Sequence, residues 1–187
     1  SKWKYISQAI KNNRLPHALL LHGPIGNCKE GFAIEIAALM NCKSPSNDNG
    51  ACGKCSSCLK VISFQHPNIL LIHPMPSSDK SVSKDGGLFH NLTNSSLLQM
   101  REMLEKKGID PYATIELNAS TIPVKIIREC RKDLYMSSVE SGWRIVLIFK
   151  AEFLCTGEMA SANAILKILE EPPNNTLFIL IADKKEM

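Results

Sequence analysis

The chain has 187 residues, of which 44% are hydrophobic and 21% charged, with a formal net charge of +4. This is the composition of a globular protein with room for one domain and a real core. Its apolar stretches are strand-sized, which excludes a membrane span, and no signal peptide pattern opens the chain. We therefore expect a cytoplasmic protein. The mildly basic charge permits contact with nucleic acid without demonstrating it.

Apolar periodicity predicts alternating helices and strands in the first part of the chain. The predicted helices and strands are a helix over 4–13, a strand over Ala18–His22, a helix over 29–41, a short helix over Leu59–Ser63 and a strand over Ile69–His73. A cysteine-rich module at 42–58 interrupts this alternation.

From 76 to 120 the chain changes character, and we interpret this segment as a peripheral insertion. It starts as a loop rich in Pro, Ser and Gly, followed by a helix over 95–107 that Gly108 is placed to end. Regular order then returns with helices over 122–136 and about 158–170, and with strands over Ile145–Phe149 and Leu177–Ile181. Continuous apolar strands alternating with helices predict an α/β fold, a parallel sheet with helices on both faces.

The loop after the first strand has the pattern of a damaged phosphate-binding loop. In that motif a Gly and four residues precede Gly-Lys and a Ser or Thr. Gly23, Gly26 and Lys29 are present, but Cys28 stands at the second motif glycine and Glu30 at the hydroxyl residue. A carboxylate at position 30 repels phosphates where the motif needs a ligand for Mg²⁺. This indicates lost nucleotide chemistry; the alternative is passive binding of a phosphate or nucleotide by Lys29 and the loop backbone.

Four of the seven cysteines are spaced for a metal ion. Cys52, Cys55 and Cys58 form a C-x-x-C-x-x-C run, and Cys42 lies ten residues upstream. Such turns supply the four soft ligands of a tetrahedral Zn²⁺, and a site with four cysteines and no open position is structural. The alternatives are free surface thiols and an iron–sulfur cluster, but the Cys-Pro that closes ferredoxin motifs is absent.

The other cysteines and the histidines lack such spacing. We interpret Cys130 and Cys155 as small buried residues and Cys28 as part of the altered loop. The five histidines carry neither nucleophile nor metal spacing and are expected to be structural.

Several motifs together resemble one family. They are Leu15-Pro16-His17-Ala18 before the loop, the four cysteines, Gln65-His66-Pro67 before a strand, and the run SANAILKILEEPP at 161–173. In this combination the chain resembles the N-terminal domain of the clamp-loader subunits of bacterial DNA polymerase III. The resemblance implies an AAA+ P-loop-type fold over 1–187 with an inserted zinc module, and it leaves about 76–120 as an atypical insertion.

The resemblance also exposes a second departure from an ATPase. Active members end the third strand in Asp-Glu, which holds Mg²⁺ and activates water, but those positions fall on Phe149 and Lys150. A shift of two residues brings Glu152 near, with no neighbouring acid expected. At the end of the fourth strand, Ala182 and Asp183 replace the paired Thr of the family.

These losses match the delta-prime branch of the family rather than the gamma/tau motor branch. The resemblance then implies a non-hydrolysing stator in a heteropentameric ring with gamma/tau and delta subunits, which loads the sliding clamp at primed DNA. It implies no ATP cofactor and no catalytic residue in this chain. The family's arginine-finger motif, lid and collar are expected beyond Met187, so we interpret the chain as a fragment.

Two alternatives belong to other classes of protein. One is an ATP-hydrolysing gamma/tau-like subunit with atypical motifs. The other is a zinc-dependent DNA-binding module whose basic surface is Lys43, Lys54 and Lys60. The run at 161–173 itself predicts a buried helical face ended by two prolines, and it offers Lys167, Glu170 and Glu171 as candidates for subunit contacts.

Overall fold

A computed structural model describes most of the chain. The residues described are 2–46, 50–75, 94–113, 121–136, 141–157 and 159–183. The predicted loop at 76–93 and the segment 114–120 lie outside the described residues.

Four parallel strands form the sheet at the centre of the described fold. They are β1 (Ala18–His22), β2 (Ile69–Ile72), β3 (Arg144–Ile148) and β4 (Thr176–Ala182). Their order across the sheet is β1-β4-β3-β2, with Leu20 paired to Leu180 and Leu147 to both Ile179 and Leu71. All carboxyl ends therefore lie at one edge of the sheet, where the loop after β1 also lies.

Helices connect the strands. They are α1 (Lys2–Lys11), α2 (Lys29–Asn41), α3 (Ser56–Ile62), α4 (Asn94–Ile109), α5 (Val124–Tyr135) and α6 (Ala160–Glu170), with a short 3-10 helix at Ala151–Cys155 after β3. Within the described ranges, no helix has the length and apolar character needed to cross a bilayer.

Both faces of the sheet are buried, as the continuous apolar strands predict. Ile145 and Leu147 of β3 point into a core shared with α2 and α4, and Val146 and Ile148 point into a second core shared with α5 and α6. Burial of α6 through its apolar side chains confirms the predicted packing face, and Lys167, Glu170 and Glu171 are exposed.

Several predicted boundaries are wrong by one to three residues. β2 ends at Ile72 and β3 at Ile148, so Phe149 begins the turn; its amide still donates to Ile72 O at 2.9 Å. α3 starts at Ser56 and includes Cys58. Cys155 is half-buried, whereas Cys130 is fully buried as predicted.

The prediction of a peripheral segment is wrong for α4. Met103 and Lys107 are 2% and 1% exposed, and Met103 belongs to the core that contains Phe149. Gly108 does not end the helix, because the amide of Asp110 still bonds to Lys106 O. A Cβ at Gly108 would approach Ile62 O at 3.8 Å, so this glycine lies where α4 meets the end of α3.

His73, just after β2, should make stability depend on pH. Its Nδ1 donates to Pro74 O at 2.7 Å, and its buried Nε2 forms no hydrogen bond with any residue that the structure describes. Burial lowers the pKa of this imidazole, so between the folded and unfolded pKa values the unfolded chain binds more protons. Stability should therefore fall as the pH drops below about 6.5, the ordinary value for histidine. Urea unfolding from pH 5 to 8 should show a flatter profile for His73→Gln, and identical slopes would contradict this role.

Candidate functional site

The loop after β1 has positive φ values at three residues, one of which is not glycine. Gly23 and Gly26 have positive φ values of 157° and 86°. Cys28, at the position of the second motif glycine, also has a positive φ of 52° and precedes the first residue of α2. A non-glycine residue in this left-handed conformation costs about 1–2 kcal/mol. The turn is therefore retained in spite of the cysteine.

Lys29 is already paired within the protein. Its Nζ donates to Gly23 O at 3.0 Å and to Pro24 O at 2.7 Å, and it forms an ion pair with Asp183 Oδ1 at 3.0 Å. The Lys29 side chain is only 9% exposed. The cation that would neutralise a bound phosphate is thus held by a carboxylate at the end of β4 and by two loop carbonyls.

Glu30 is paired with a lysine from α4. The carboxylate of Glu30 forms an ion pair with Lys107 Nζ, which also donates to Ala113 O and lies 3.4 Å from Pro111 O. Glu30 and Lys107 are 21% and 1% exposed. The charges of the first two residues of the loop helix, Lys29 and Glu30, are therefore both neutralised by partners inside the chain.

The positions of the expected acidic pair carry no metal ligand. Phe149 is 3% exposed and belongs to the core, and Lys150 takes a left-handed φ of 50° at the turn into the 3-10 helix. Glu152 lies in that helix, where its Oε2 accepts a hydrogen bond of 3.3 Å from the amide of Asp183. Glu152 thus lies beside the backbone of Asp183, and the expectation that it has no neighbouring acid stays a prediction. The carboxylate of Asp183, however, is directed to Lys29.

The Mg²⁺ of an ATPase does not fit these residues. Mg²⁺ requires oxygen ligands in near-octahedral geometry, usually one or two carboxylates with water and phosphate. Here the carboxylate at position 30 is engaged by an ammonium group, and the side chain at 149 is a phenyl ring. The ammonium of Lys107 lies 6.0 Å from the centroid of that ring.

The four cysteines predicted as metal ligands come together. The Sγ atoms of Cys42, Cys52, Cys55 and Cys58 all lie within 4.8 Å of one another and could hold a metal ion. Cys42 follows α2, Cys52 and Cys55 lie in the turn before α3, and Cys58 belongs to the first turns of α3. The end of one helix and the start of the next thus deliver ligands to one point.

Backbone hydrogen bonds hold three of these sulfur atoms in place and favour the thiolate form that binds a cation. The amides of Cys52, Cys55 and Cys58 donate to the Sγ of Cys42, Cys52 and Cys55 at 3.3, 3.3 and 3.4 Å. Hydrogen bonds from the backbone of Cys58 and of Lys43 lower the pKa of the Cys55 thiol to about 6. Burial raises the pKa of Cys58, the most enclosed of the four. A bound cation would deprotonate such a thiol by supplying the missing positive charge.

A chain of buried hydrogen bonds joins the cysteine cluster to the sheet. Ser57, beside Cys58, donates to Asn41 O at 2.7 Å and lies 3.0 Å from His66 Nε2. His66 Nδ1 accepts from the amide of Asn68, so the proton is on Nε2, which donates to Ser57. The Asn41 side chain in turn exchanges hydrogen bonds with the backbone of Trp143 at 3.0 and 3.1 Å. The cluster is thereby fixed to the amino ends of β2 and β3.

Two residues that contact the loop helix, Lys107 and Tyr112, could not be recognised from the sequence. Lys107 lies in the segment interpreted as peripheral, and no motif marks it. Gly31 follows Glu30, and a Cβ placed there would lie 2.4 Å from Tyr112 Cδ1 and 3.1 Å from Pro111 O. The small size of Gly31 at the first turn of α2 was the one available signal in the sequence that another segment packs closely there.

The three lysines considered as a basic surface for nucleic acid differ in exposure. Lys43 and Lys54 are exposed, and Lys60 is half-buried.

Comparison with known proteins identifies the family. A family model described as "DNA polymerase III, delta subunit" matches residues 1–187. The chain belongs to this family. The resemblance inferred from the sequence motifs is thereby confirmed.

Individual relatives come from two kinds of subunit. The chain is 26% identical over 164 residues to DNA polymerase III subunit delta' of Yersinia pestis, covering 88% of this chain and 35% of the relative. It is 27% identical over 181 residues to DNA polymerase III subunit gamma/tau of Mycobacterium bovis, covering 97% of this chain and 23% of the relative. The chain thus spans well under half the length of these relatives.

A solved structure is also similar. It is described as a DNA polymerase III gamma subunit-related protein from Thermotoga maritima, with a TM-score of 0.45 and 14% sequence identity over 97% of this chain and 39% of that chain. Membership of the family rests on the sequence match over the whole chain.

Proposed function

We propose that this chain is the AAA+-like N-terminal domain of a delta-prime-type clamp-loader subunit that does not hydrolyse ATP. The observation that carries the proposal is the internal pairing of the first two residues of the loop helix, Lys29 with Asp183 and Glu30 with Lys107. Phosphoryl transfer depends on a free lysine and a metal ion to neutralise the developing charge. Neither requirement is met by these residues.

The remaining losses support the same proposal. Phe149 and Lys150 replace the acidic pair, so neither of these two positions offers a carboxylate to hold a metal ion or orient water. Relatives named delta' and gamma/tau both match the chain, so the name of a relative does not decide between a stator and a motor. The residues at the site favour the stator.

The proposed partners follow from the family. The subunit would join gamma/tau and delta subunits in a heteropentameric ring that loads a sliding clamp at primed DNA. Lys167, Glu170 and Glu171, exposed at the end of α6, are proposed subunit contacts. In this proposal 1–187 forms one domain, with the cysteine module at 42–58 and an atypical insertion at 76–120, and the lid and collar lie outside this chain.

The proposed metal ion is structural Zn²⁺ held by Cys42, Cys52, Cys55 and Cys58. Four thiolates with no His, carboxylate or open position are the donor set of a closed zinc site. Clustering of the four Sγ atoms within 4.8 Å supports this assignment. The ion would join α2 to α3 and take no part in a reaction.

An ATPase assay separates the stator from the alternative, an ATP-hydrolysing gamma/tau-like subunit. The purified protein with Mg²⁺ and ATP should release phosphate no faster than the matched Lys29→Ala variant, because Lys29 is the lysine that hydrolysis would need. A second assay uses the complete ring with its other ATP sites disabled. Phosphate release that depends on both Mg²⁺ and Lys29 would establish the alternative.

A further inference from the structure

Lys107 ends in a cage of oxygen atoms. Its ammonium group contacts the carboxylate of Glu30 and the carbonyls of Pro111 and Ala113, and its side chain is 1% exposed. An ammonium group donates three hydrogen bonds, so these three oxygen atoms match its capacity. The set of one carboxylate and two carbonyls is also of the kind that binds hard divalent cations.

The cage around the Lys107 ammonium lies beside the two positions at which an ATPase carries its metal ligands. Glu30 stands where a phosphate-binding loop carries the hydroxyl that holds the metal ion. Phe149, whose ring centroid is 6.0 Å from the ammonium, stands where an ATPase carries the first acid of its metal site. The ammonium thus lies near side chains at both metal-holding positions, Glu30 and Phe149.

The segment that carries Lys107 is packed tightly on the loop helix. A Cβ at Gly31 would lie 2.4 Å from Tyr112 Cδ1, so Tyr112 rests on the first turn of α2. Asp110 shapes this contact, because its Oδ1 accepts from the amide of Tyr112 at 2.9 Å. Met103, one helical turn before Lys107, is buried in the core that contains Phe149. Apolar packing and the ion pair therefore act on the same segment.

We propose that Lys107 is an internal cation that stands where an ATPase holds its divalent metal ion, and that it locks residues 94–113 onto the first turn of α2. This inference rests on the proposed absence of ATP hydrolysis. A fixed ammonium excludes a divalent cation from the cage by charge repulsion.

Hydrogen exchange tests the lock in the full-length protein. Lys107→Met should speed exchange of the amides over 103–109 and of the first turn of α2 by tenfold or more, because the segment loses its ionic contact. Lys106→Met is the matched control, since Lys106 is the exposed neighbour on the same helix. Equal exchange in the two variants would overturn the proposal.

Added divalent cations test whether the Lys107 ammonium occupies a position that a metal ion could take. In Lys107→Met, 10 mM MgCl₂ or CaCl₂ should raise the melting temperature by about 2–4 °C, because the freed oxygen atoms can bind the added ion. The unsubstituted protein and Lys106→Met should not respond. A response no larger in Lys107→Met than in Lys106→Met would show that the ammonium does not stand in for a metal ion.

A second variant covers the case in which Lys107→Met does not fold. The double variant Glu30→Gln, Lys107→Met leaves no unpaired charge in the cage, and it should speed exchange over 103–109 in the same way while giving no cation response. Neither readout involves ATP. If phosphate release by the unsubstituted protein is absent and both readouts fail, the lock is wrong while the proposed stator function stands.

Discussion

Loss of the proposed zinc ion from the four-cysteine cluster should lower the free energy of unfolding by about 4 kcal/mol or more, the range reached when a structural metal is lost. The reason is that the cluster joins α2 to α3. In addition, Ser57 beside the cluster bonds to Asn41, whose side chain bonds to the backbone of Trp143 at the start of β3. Cys52→Ser should therefore lose bound zinc and lower the melting temperature by about 10 °C. Metal analysis and thermal unfolding measure the two effects.

A matched control shows whether the loss of zinc and of stability in Cys52→Ser is specific to a cysteine of the cluster. Cys28→Ser changes an exposed cysteine outside the cluster and should keep one zinc per chain, with a stability within about 0.5 kcal/mol of the original. Zinc retained by Cys52→Ser would contradict the ligand assignment. A visible absorbance with iron in place of zinc would instead establish the iron–sulfur alternative.

Glu30→Gln should be more destabilising than Lys107→Met, although both remove the same ion pair. In Glu30→Gln the ammonium of Lys107 stays buried with only carbonyl partners, and an uncompensated buried charge costs about 3–5 kcal/mol. In Lys107→Met the freed carboxylate is 21% exposed and can be hydrated, so the cost is smaller. Urea unfolding measures both values.

The double variant Glu30→Gln, Lys107→Met completes this prediction. It should recover much of the stability lost in Glu30→Gln, because no buried charge remains. Lys106→Met, in the exposed part of the same helix, should have little effect. A change below about 1 kcal/mol in Glu30→Gln would show that the ammonium is hydrated rather than paired.

Local patterns were sufficient to predict the sheet and the clustering of the four cysteines. β1 and α2 have the predicted bounds, because apolar runs on either side of a glycine-containing loop define them. The four cysteines come together because C-x-x-C turns bring sulfur atoms close through local backbone geometry. These features could be predicted because each is determined by residues that are close to one another in the sequence.

Contacts between distant segments could not be predicted in this way. Lys107 has the spacing and polarity of a surface residue on α4, and only the packing of that helix on the core places its ammonium beside Glu30. Gly108 has the form of a helix-ending residue, but α4 continues past it to Ile109. The burial of a charged side chain depends on its partner, which no periodicity in the sequence reveals.

The order of strands in the sheet has a consequence for folding during synthesis. β1 lies at an edge and pairs with β4, which comes at 176–182, so Ala18 meets Phe178 only after most of the chain has emerged from the ribosome. β3 likewise has β4 as a neighbour, which leaves β2 and β3 as the one pair available earlier. Parallel pairing over such separations is slow and leaves apolar strands exposed. The nascent chain should therefore depend on chaperones until β4 inserts between β1 and β3.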